Sequence, residues 1–145
     1  GHASDTVDYK RSVMEHFQRL GIADKVRFAG ARADAPAILA QCDVQLMTSR
    51  WEGLGFVLIE ALACGTPSVA ADCPSGPAEV LDRGRVGALV PVGDAPALAR
   101  GLTRMLDAPP PAAVCRDAAR RYEIEAATDD YLRAMALPPR AGDAA

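Results

Sequence analysis

Residues 49–77 read SRWEGLGFVLIEALACGTPSVAADCPSGP, and this stretch decides how the rest of the chain is interpreted. The apolar residues Val44, Leu46 and Met47 before it predict a buried strand, and residues 56–64 have the length and composition of a short helix that ends at Gly65. Between the two, glycines at 53 and 55 loosen the backbone. A strand, a glycine loop and a helix start expose amide N–H groups and the positive end of a helix dipole. These features suit an anion such as a pyrophosphate.

Two glutamates flank this loop and helix start. Glu60 lies about one turn inside the predicted helix, where its acceptor-only carboxylate can take two hydrogen bonds from a vicinal diol such as a ribose. Glu52 lies on the loop, where it can meet a second hydroxyl-rich group. The alternatives are a solvated loop glutamate and a helix-surface charge. The apolar neighbours Leu58 and Ile59 favour a functional reason for Glu60.

The two glutamates bracket seven residues, with Glu-Gly-x-Gly at the front and Glu-Ala-x-Ala-Cys-Gly-x-Pro behind. This pattern resembles the donor-binding motif of retaining glycosyltransferases of family 4, the glycosyl transferases group 1. The resemblance continues into residues 72–77 and 87–91. A bare pair of glutamates at this spacing is common by chance, but the surrounding glycines and the Cys-Gly-x-Pro make the motif specific. The resemblance implies the C-terminal, donor-binding domain of a GT-B fold, incomplete at its N-terminal end.

The resemblance also implies a role for each residue of the motif. Glu52 would be catalytic, holding a donor-sugar hydroxyl or stabilising positive charge as the glycosidic bond breaks. Glu60 would bind the ribose hydroxyls. The residues whose backbone amides would bind the diphosphate and sugar are Gly53, Leu54, Gly55, Phe56 and Val57. The nucleotide base is expected near Gly30, Ala31 and Arg32, and a merely solvated Arg32 is the alternative.

Strand and helix patterns alternate along the chain. Helices are predicted over residues 7–20, 34–42, 56–64, 77–81, 94–106, 112–122 and 124–137, and strands over 26–29, 44–47, 68–71 and 88–90. Glu79 and Arg83 are predicted to form an i,i+4 pair. The helical connections are long enough for right-handed crossovers, so we expect a doubly wound α/β fold with about four parallel strands. One partial domain would cover residues 1–137, with C-terminal helices over 112–137, and residues 138–145 would form a flexible tail.

Composition excludes several classes of function. Apolar residues make up 50% and charged residues 24% of the 145, which fits a globular domain and not a disordered one. A net charge of -3 gives no indication of the basic surface that binds nucleic acid. The longest apolar run, residues 56–64, is interrupted by Glu60 and is too short to cross a bilayer. The 4 cysteines lack metal-ligand spacing and there is no Asp-x-Asp, so we expect no metal cofactor.

The resemblance therefore implies a domain that binds a nucleotide-diphosphate sugar, expected to be a UDP-sugar, for retaining transfer to an acceptor hydroxyl. The family's first strand and its phosphate-binding basic residues have no counterpart, so we expect a fragment that is inactive without an N-terminal domain of the same polypeptide. The expected acceptor is a sugar or lipid-linked sugar, and the expected location is cytoplasmic or peripheral at the inner membrane face. Two alternatives stay open: another nucleotide-sugar enzyme such as an epimerase, and a non-catalytic interaction fragment.

Overall fold

The computed structural model describes residues 2–138, with side chains described from residue 9 onward. The chain divides into two compact units, Gly1–Ala33 and Asp34–Ala145. In the first unit, helix α1 (His2–Arg19) is followed by a short 3-10 turn, Ala23–Lys25. The predicted helix over residues 7–20 is thus confirmed, and it begins earlier than its apolar pattern indicated.

The predicted strand over residues 26–29 is wrong. Val26 has an extended backbone, with φ -110 and ψ 131, but these residues pair with no strand in the part of the chain that the structure describes. Extended chain becomes a strand only when a neighbouring strand satisfies its backbone groups, and the first unit supplies none. The expected count of about four strands is corrected to three among the described residues.

The second unit alternates helices and strands. Its elements are α2 (Ala35–Leu39), β1 (Gln45–Met47), α3 (Phe56–Cys64), β2 (Ser68–Ala71), α4 (Pro77–Val80), β3 (Gly87–Val90), α5 (Ala95–Asp107), α6 (Ala112–Ala119) and α7 (Ile124–Ala134), with 3-10 turns at Asp82–Gly84 and Arg120–Tyr122. The strands form a parallel sheet in the order β1-β2-β3, with Val69 of β2 opposite both Leu46 and Ala88.

Apolar side chains cover both faces of this sheet. On one face, Met47 and Ala70 pack in a core with residues of α3, α4 and α6. On the other, Val69 and Ala88 pack with α5, including Met105. Every residue of β2 is buried, as expected for a parallel strand with helices on both sides. The prediction of a doubly wound α/β fold is confirmed.

Residues at the helix ends determine where the helices begin and end. Gly65 adopts the left-handed conformation, φ 84, that ends α3. The Asp94 carboxylate accepts a 2.8 Å hydrogen bond from the Ala97 amide and so caps α5. The helix predicted over 112–122 is observed as α6 followed by a 3-10 turn, and the extended backbone at Glu123 (φ -63, ψ 150) ends that turn. The single domain over 1–137 stays a prediction. Of the predicted tail, only Pro138 is among the described residues.

Candidate functional site

The loop between β1 and α3 holds Glu52 in a defined position. The Ser49 hydroxyl donates a 2.6 Å hydrogen bond to Oε1 of Glu52, and both side chains are half-buried. A charge-assisted hydrogen bond of this kind fixes the carboxylate more firmly than solvent would. The second carboxylate oxygen forms no hydrogen bond to the described residues, so it can accept one from a hydroxyl group of a ligand.

Helix α3 begins without a side-chain cap. Gly55 occupies the N-cap position in the left-handed conformation, φ 80, and has no side chain to bind the first amides of the helix. Its carbonyl accepts a 2.9 Å hydrogen bond from the Leu58 amide, which closes the first turn tightly. Phe56 and Val57 are exposed at this end. The amides of the first turn and the positive end of the α3 dipole are therefore available to an anion.

Glu60 lies on the exposed side of α3. Leu58, Ala61 and Leu62 are fully buried, whereas Glu60 is exposed with Phe56, one turn earlier. Helical side chains tilt toward the N-terminus of their helix, so the Glu60 carboxylate leans toward the first turn. Glu60 thus stays out of the apolar core and shares a face with the helix start, as its predicted role requires.

The turn before α4 packs against the glycine loop. Gly76 has φ 92, and a Cβ added to it would lie 2.5 Å from the carbonyl carbon and 2.8 Å from Cα of Leu54. The turn before α4 therefore presses directly against the backbone of the Glu52 loop. The sequence alone indicates no role for this turn beyond the family resemblance over residues 72–77. The sequence Ser-Gly-Pro at residues 75–77 indicates a turn, but the contact of this turn with Leu54 depends on the tertiary structure.

A small cleft of about 190 Å³ opens beside the same loop, and sequence reasoning missed it. Its lining residues are Thr48, Ala71, Val90, Pro91, Gly93, Asp94, Ala95 and Leu98. Thr48, Ala71 and Val90 lie at or just after the carboxyl ends of β1, β2 and β3, which is the edge where open α/β sheets bind ligands. Thr48 is adjacent to Ser49, so the cleft neighbours the Glu52 carboxylate.

The predicted base-binding residues belong to the first unit. Gly30, Ala31 and Arg32 follow the extended segment after the 3-10 turn, and all three are exposed. Gly30 is left-handed, with φ 68. The remaining predicted site residues, from Glu52 to Glu60, lie together in the second unit. The role of residues 30–32 stays a prediction.

The described residues 2–138 contain neither a metal-binding cluster nor a helix that could span a membrane. No group of three or more His, Cys, Asp or Glu side chains among them could hold a metal ion. None of the helices found there combines the length and apolar character that crossing a membrane would require. The expectation that no metal takes part stays a prediction.

Fold and site together define a class: Rossmann-like α/β domains whose glycine loop and helix start lie at the carboxyl edge of a parallel sheet. The family model described as "Glycosyl transferases group 1" matches residues 5–108. The chain belongs to this glycosyltransferase family, and the resemblance predicted from the motif is confirmed.

Several relatives are bacterial glycosyltransferases. The chain is 36% identical over 127 residues to the lipopolysaccharide core biosynthesis glycosyltransferase LpsE of Rhizobium meliloti, an alignment that covers 83% of this chain and 36% of LpsE. It is 34% identical over 138 residues to the D-inositol 3-phosphate glycosyltransferase of Saccharomonospora viridis, covering 91% of this chain and 32% of that enzyme. The chain therefore spans about a third of the length of these relatives.

Solved structures support the fold. Anabaena Alr3699/HepE, solved in complex with UDP and with UDP-glucose, superposes with a TM-score of 0.73 at 32% identity, covering 89% of this chain and 36% of that one. Sucrose-phosphate synthase from Thermosynechococcus elongatus superposes with a TM-score of 0.67 at 27% identity, covering 89% of this chain and 34% of that one. The parallel sheet with flanking helices is thus that of part of a GT-B enzyme.

Proposed function

We propose that this chain is the donor-binding part of a retaining glycosyltransferase that moves a hexose from a nucleotide diphosphate to an acceptor hydroxyl. The observation that carries the proposal is the arrangement of two carboxylates around an uncapped helix start. Glu52 is fixed on the loop by Ser49, and Glu60 is exposed one turn into α3. Family membership and the nucleotide complexes of Anabaena HepE support this assignment.

The diphosphate would bind the start of α3. The amides of residues 53–57 and the helix dipole supply the positive electrostatic potential, so its charge can be stabilised without a metal ion. Glu60 would accept hydrogen bonds from the two ribose hydroxyls. The base contact expected of residues 30–32 stays a prediction. Uridine is the proposed base, because the HepE complexes contain UDP and UDP-glucose.

The donor sugar would lie next to Glu52. As the bond to the diphosphate breaks, positive charge develops on the anomeric carbon, and a fixed carboxylate stabilises that charge. The bond from Ser49 holds Glu52 in place before the reaction, so little reorganisation is needed. The leaving diphosphate would act as the base that accepts the proton of the acceptor hydroxyl, on the face of the sugar where the new bond forms, so the anomeric configuration is kept.

A calorimetric titration with UDP, GDP and UDP-glucose tests the donor site. Glu60→Gln keeps the size of the side chain but removes its charge. We therefore expect UDP affinity to fall by about tenfold or more, which corresponds to the free energy of one hydrogen bond to a charged group. Glu125→Gln makes the same change on an exposed residue of α7 and should leave the affinity unchanged. A chain that binds none of these nucleotides, or equal affinity in the two variants, would contradict the proposal.

Catalysis needs a separate measurement. We expect the chain alone to bind donor without transferring sugar, because the acceptor would bind a further domain. In a transferase that contains this chain, Glu52→Gln should abolish transfer while UDP affinity stays within a few-fold, since Glu52 faces the sugar and not the nucleotide. Product analysis by NMR would report the anomeric configuration, and an inverted product would refute the retaining mechanism.

A further inference from the structure

An arginine-lined cleft of about 590 Å³ lies on the second unit, and the proposed function does not use it. Its lining residues are Arg85, Ala113, Val114, Arg116, Asp117 and Arg120. Three arginines and one aspartate are therefore among the residues that line it. We call this feature the arginine cleft.

The arginine cleft lies at the amino ends of the strands. Arg85 comes two residues before β3 begins, and Arg116 lies against Gly65 at the C-terminal end of α3, where an added Cβ would overlap its Nη1 atom. Since α3 connects two parallel strands, it runs back across the sheet and its C-terminus reaches the amino edge. The Glu52 loop lies at the opposite, carboxyl edge. The arginine cleft is thus a second location and not an extension of the donor site.

The arginines are only partly neutralised. Arg85 pairs with Asp82, and Arg120 reaches Asp117 only at 4.0 Å with both side chains exposed. Arg116 forms no ion pair with any residue that the structure describes. Arg116 lies on α6 and Arg120, four positions later, begins the 3-10 turn that continues it, a spacing at which like charges repel each other. A bound anion would relieve that repulsion.

We propose that the arginine cleft binds a phosphate group, supplied by a free phosphate or by the headgroup of an anionic lipid. The guanidinium fork matches the geometry of phosphate oxygens and can bind them in pairs. Arg85, which precedes β3, lines the same cleft as Arg116 and Arg120, which come from α6 and the turn after it, so more than one arginine is available to a bound phosphate. The Arg116 guanidinium lies beside Gly65 at the C-terminal end of α3, where the negative end of the helix dipole favours a cation. This inference is independent of the proposed function.

Two binding assays distinguish a free phosphate from a lipid headgroup. The first is a titration with inorganic phosphate followed by NMR. The second is co-sedimentation with phosphatidylglycerol–phosphatidylcholine vesicles, compared with vesicles of phosphatidylcholine alone. The double variant Arg116→Gln with Arg120→Gln should weaken binding by about tenfold or more in the assay in which the parent chain binds. The matched control, Arg27→Gln with Arg100→Gln, removes the same charge from two exposed arginines elsewhere and should bind as the parent chain does.

A third variant changes binding in the opposite direction. Asp117 is 81% exposed, so Asp117→Asn should fold normally, and it removes the one carboxylate that lines the cleft. We expect it to bind phosphate several-fold more tightly than the parent chain. Binding to phosphate alone would identify a free phosphate as the ligand, and binding to the anionic vesicles would identify a lipid headgroup. The proposal is overturned if the parent binds in neither assay, if the control loses as much as the double variant, or if Asp117→Asn gains nothing.

Discussion

Replacing Gly76 by alanine tests whether the turn before α4 shapes the donor loop. Gly76 has φ 92 and ψ -67, a conformation that costs an alanine about 1–3 kcal/mol. The new Cβ would also lie 2.5 Å from the carbonyl carbon of Leu54. These are backbone atoms, so they cannot rotate away as a side chain could, and overpacking of this kind adds about 1–3 kcal/mol.

Gly84 provides a matched control. Its φ of 91 is nearly the same, but an added Cβ would meet nothing within 4 Å. Gly84→Ala should therefore carry only the conformational cost. Urea denaturation compares the two variants, and we expect Gly76→Ala, which also meets the Leu54 backbone, to be less stable than Gly84→Ala by about 1–3 kcal/mol.

The same pair of variants connects stability to ligand binding. If Leu54 moves away from the new methyl group, the amides of residues 53–57 move with it, and UDP affinity should fall by about tenfold, the loss of one hydrogen bond to a charged group. Gly84→Ala should keep its UDP affinity. Calorimetry on both variants, at a temperature where both remain folded, gives the comparison. Equal stability of the two variants, or unchanged UDP affinity in Gly76→Ala, would refute this reasoning.

Two further predictions concern the packing around the site. Asp94→Ala removes the cap of α5 and should lower the free energy of unfolding by about 1 kcal/mol, whereas Asp94→Asn, which can still cap, should cost less; urea denaturation of both variants checks this. Burial raises the pKa of the Cys115 thiol above its ordinary value of 9.0, and nearby Arg116 opposes the rise. Above pH 9.0 the unfolded thiol loses a proton that the folded one keeps, so stability should fall as pH rises through the raised folded pKa. Thermal melts between pH 7 and 11 should show a shallower alkaline loss in Cys115→Ala than in the parent, and identical slopes would contradict this.

Much of the fold was predictable because its signals are local. The bounds of α3, its end at Gly65 and the cap at Asp94 follow from residues within one turn of each helix end. The strand over 26–29 was mispredicted for the opposite reason: its apolar residues favour extended chain, but a strand also needs a partner. Similarly, the pair predicted between Glu79 and Arg83 does not form among the described residues. Arg83 leaves the helical conformation at φ 53, and Glu79 pairs with Arg121 at 3.2 Å.

The amino-acid sequence alone determined the family, the doubly wound fold and the candidate residues from Glu52 to Glu60, because a strand, a glycine loop and a helix follow one another within a short segment. Only the tertiary structure decided which distant segments support that loop. The contact of Gly76 with Leu54, the cleft at the carboxyl edge and the arginine cleft at the amino edge all join residues far apart in the chain. Packing of helices on the two faces of the sheet creates these contacts, and no local pattern specifies them.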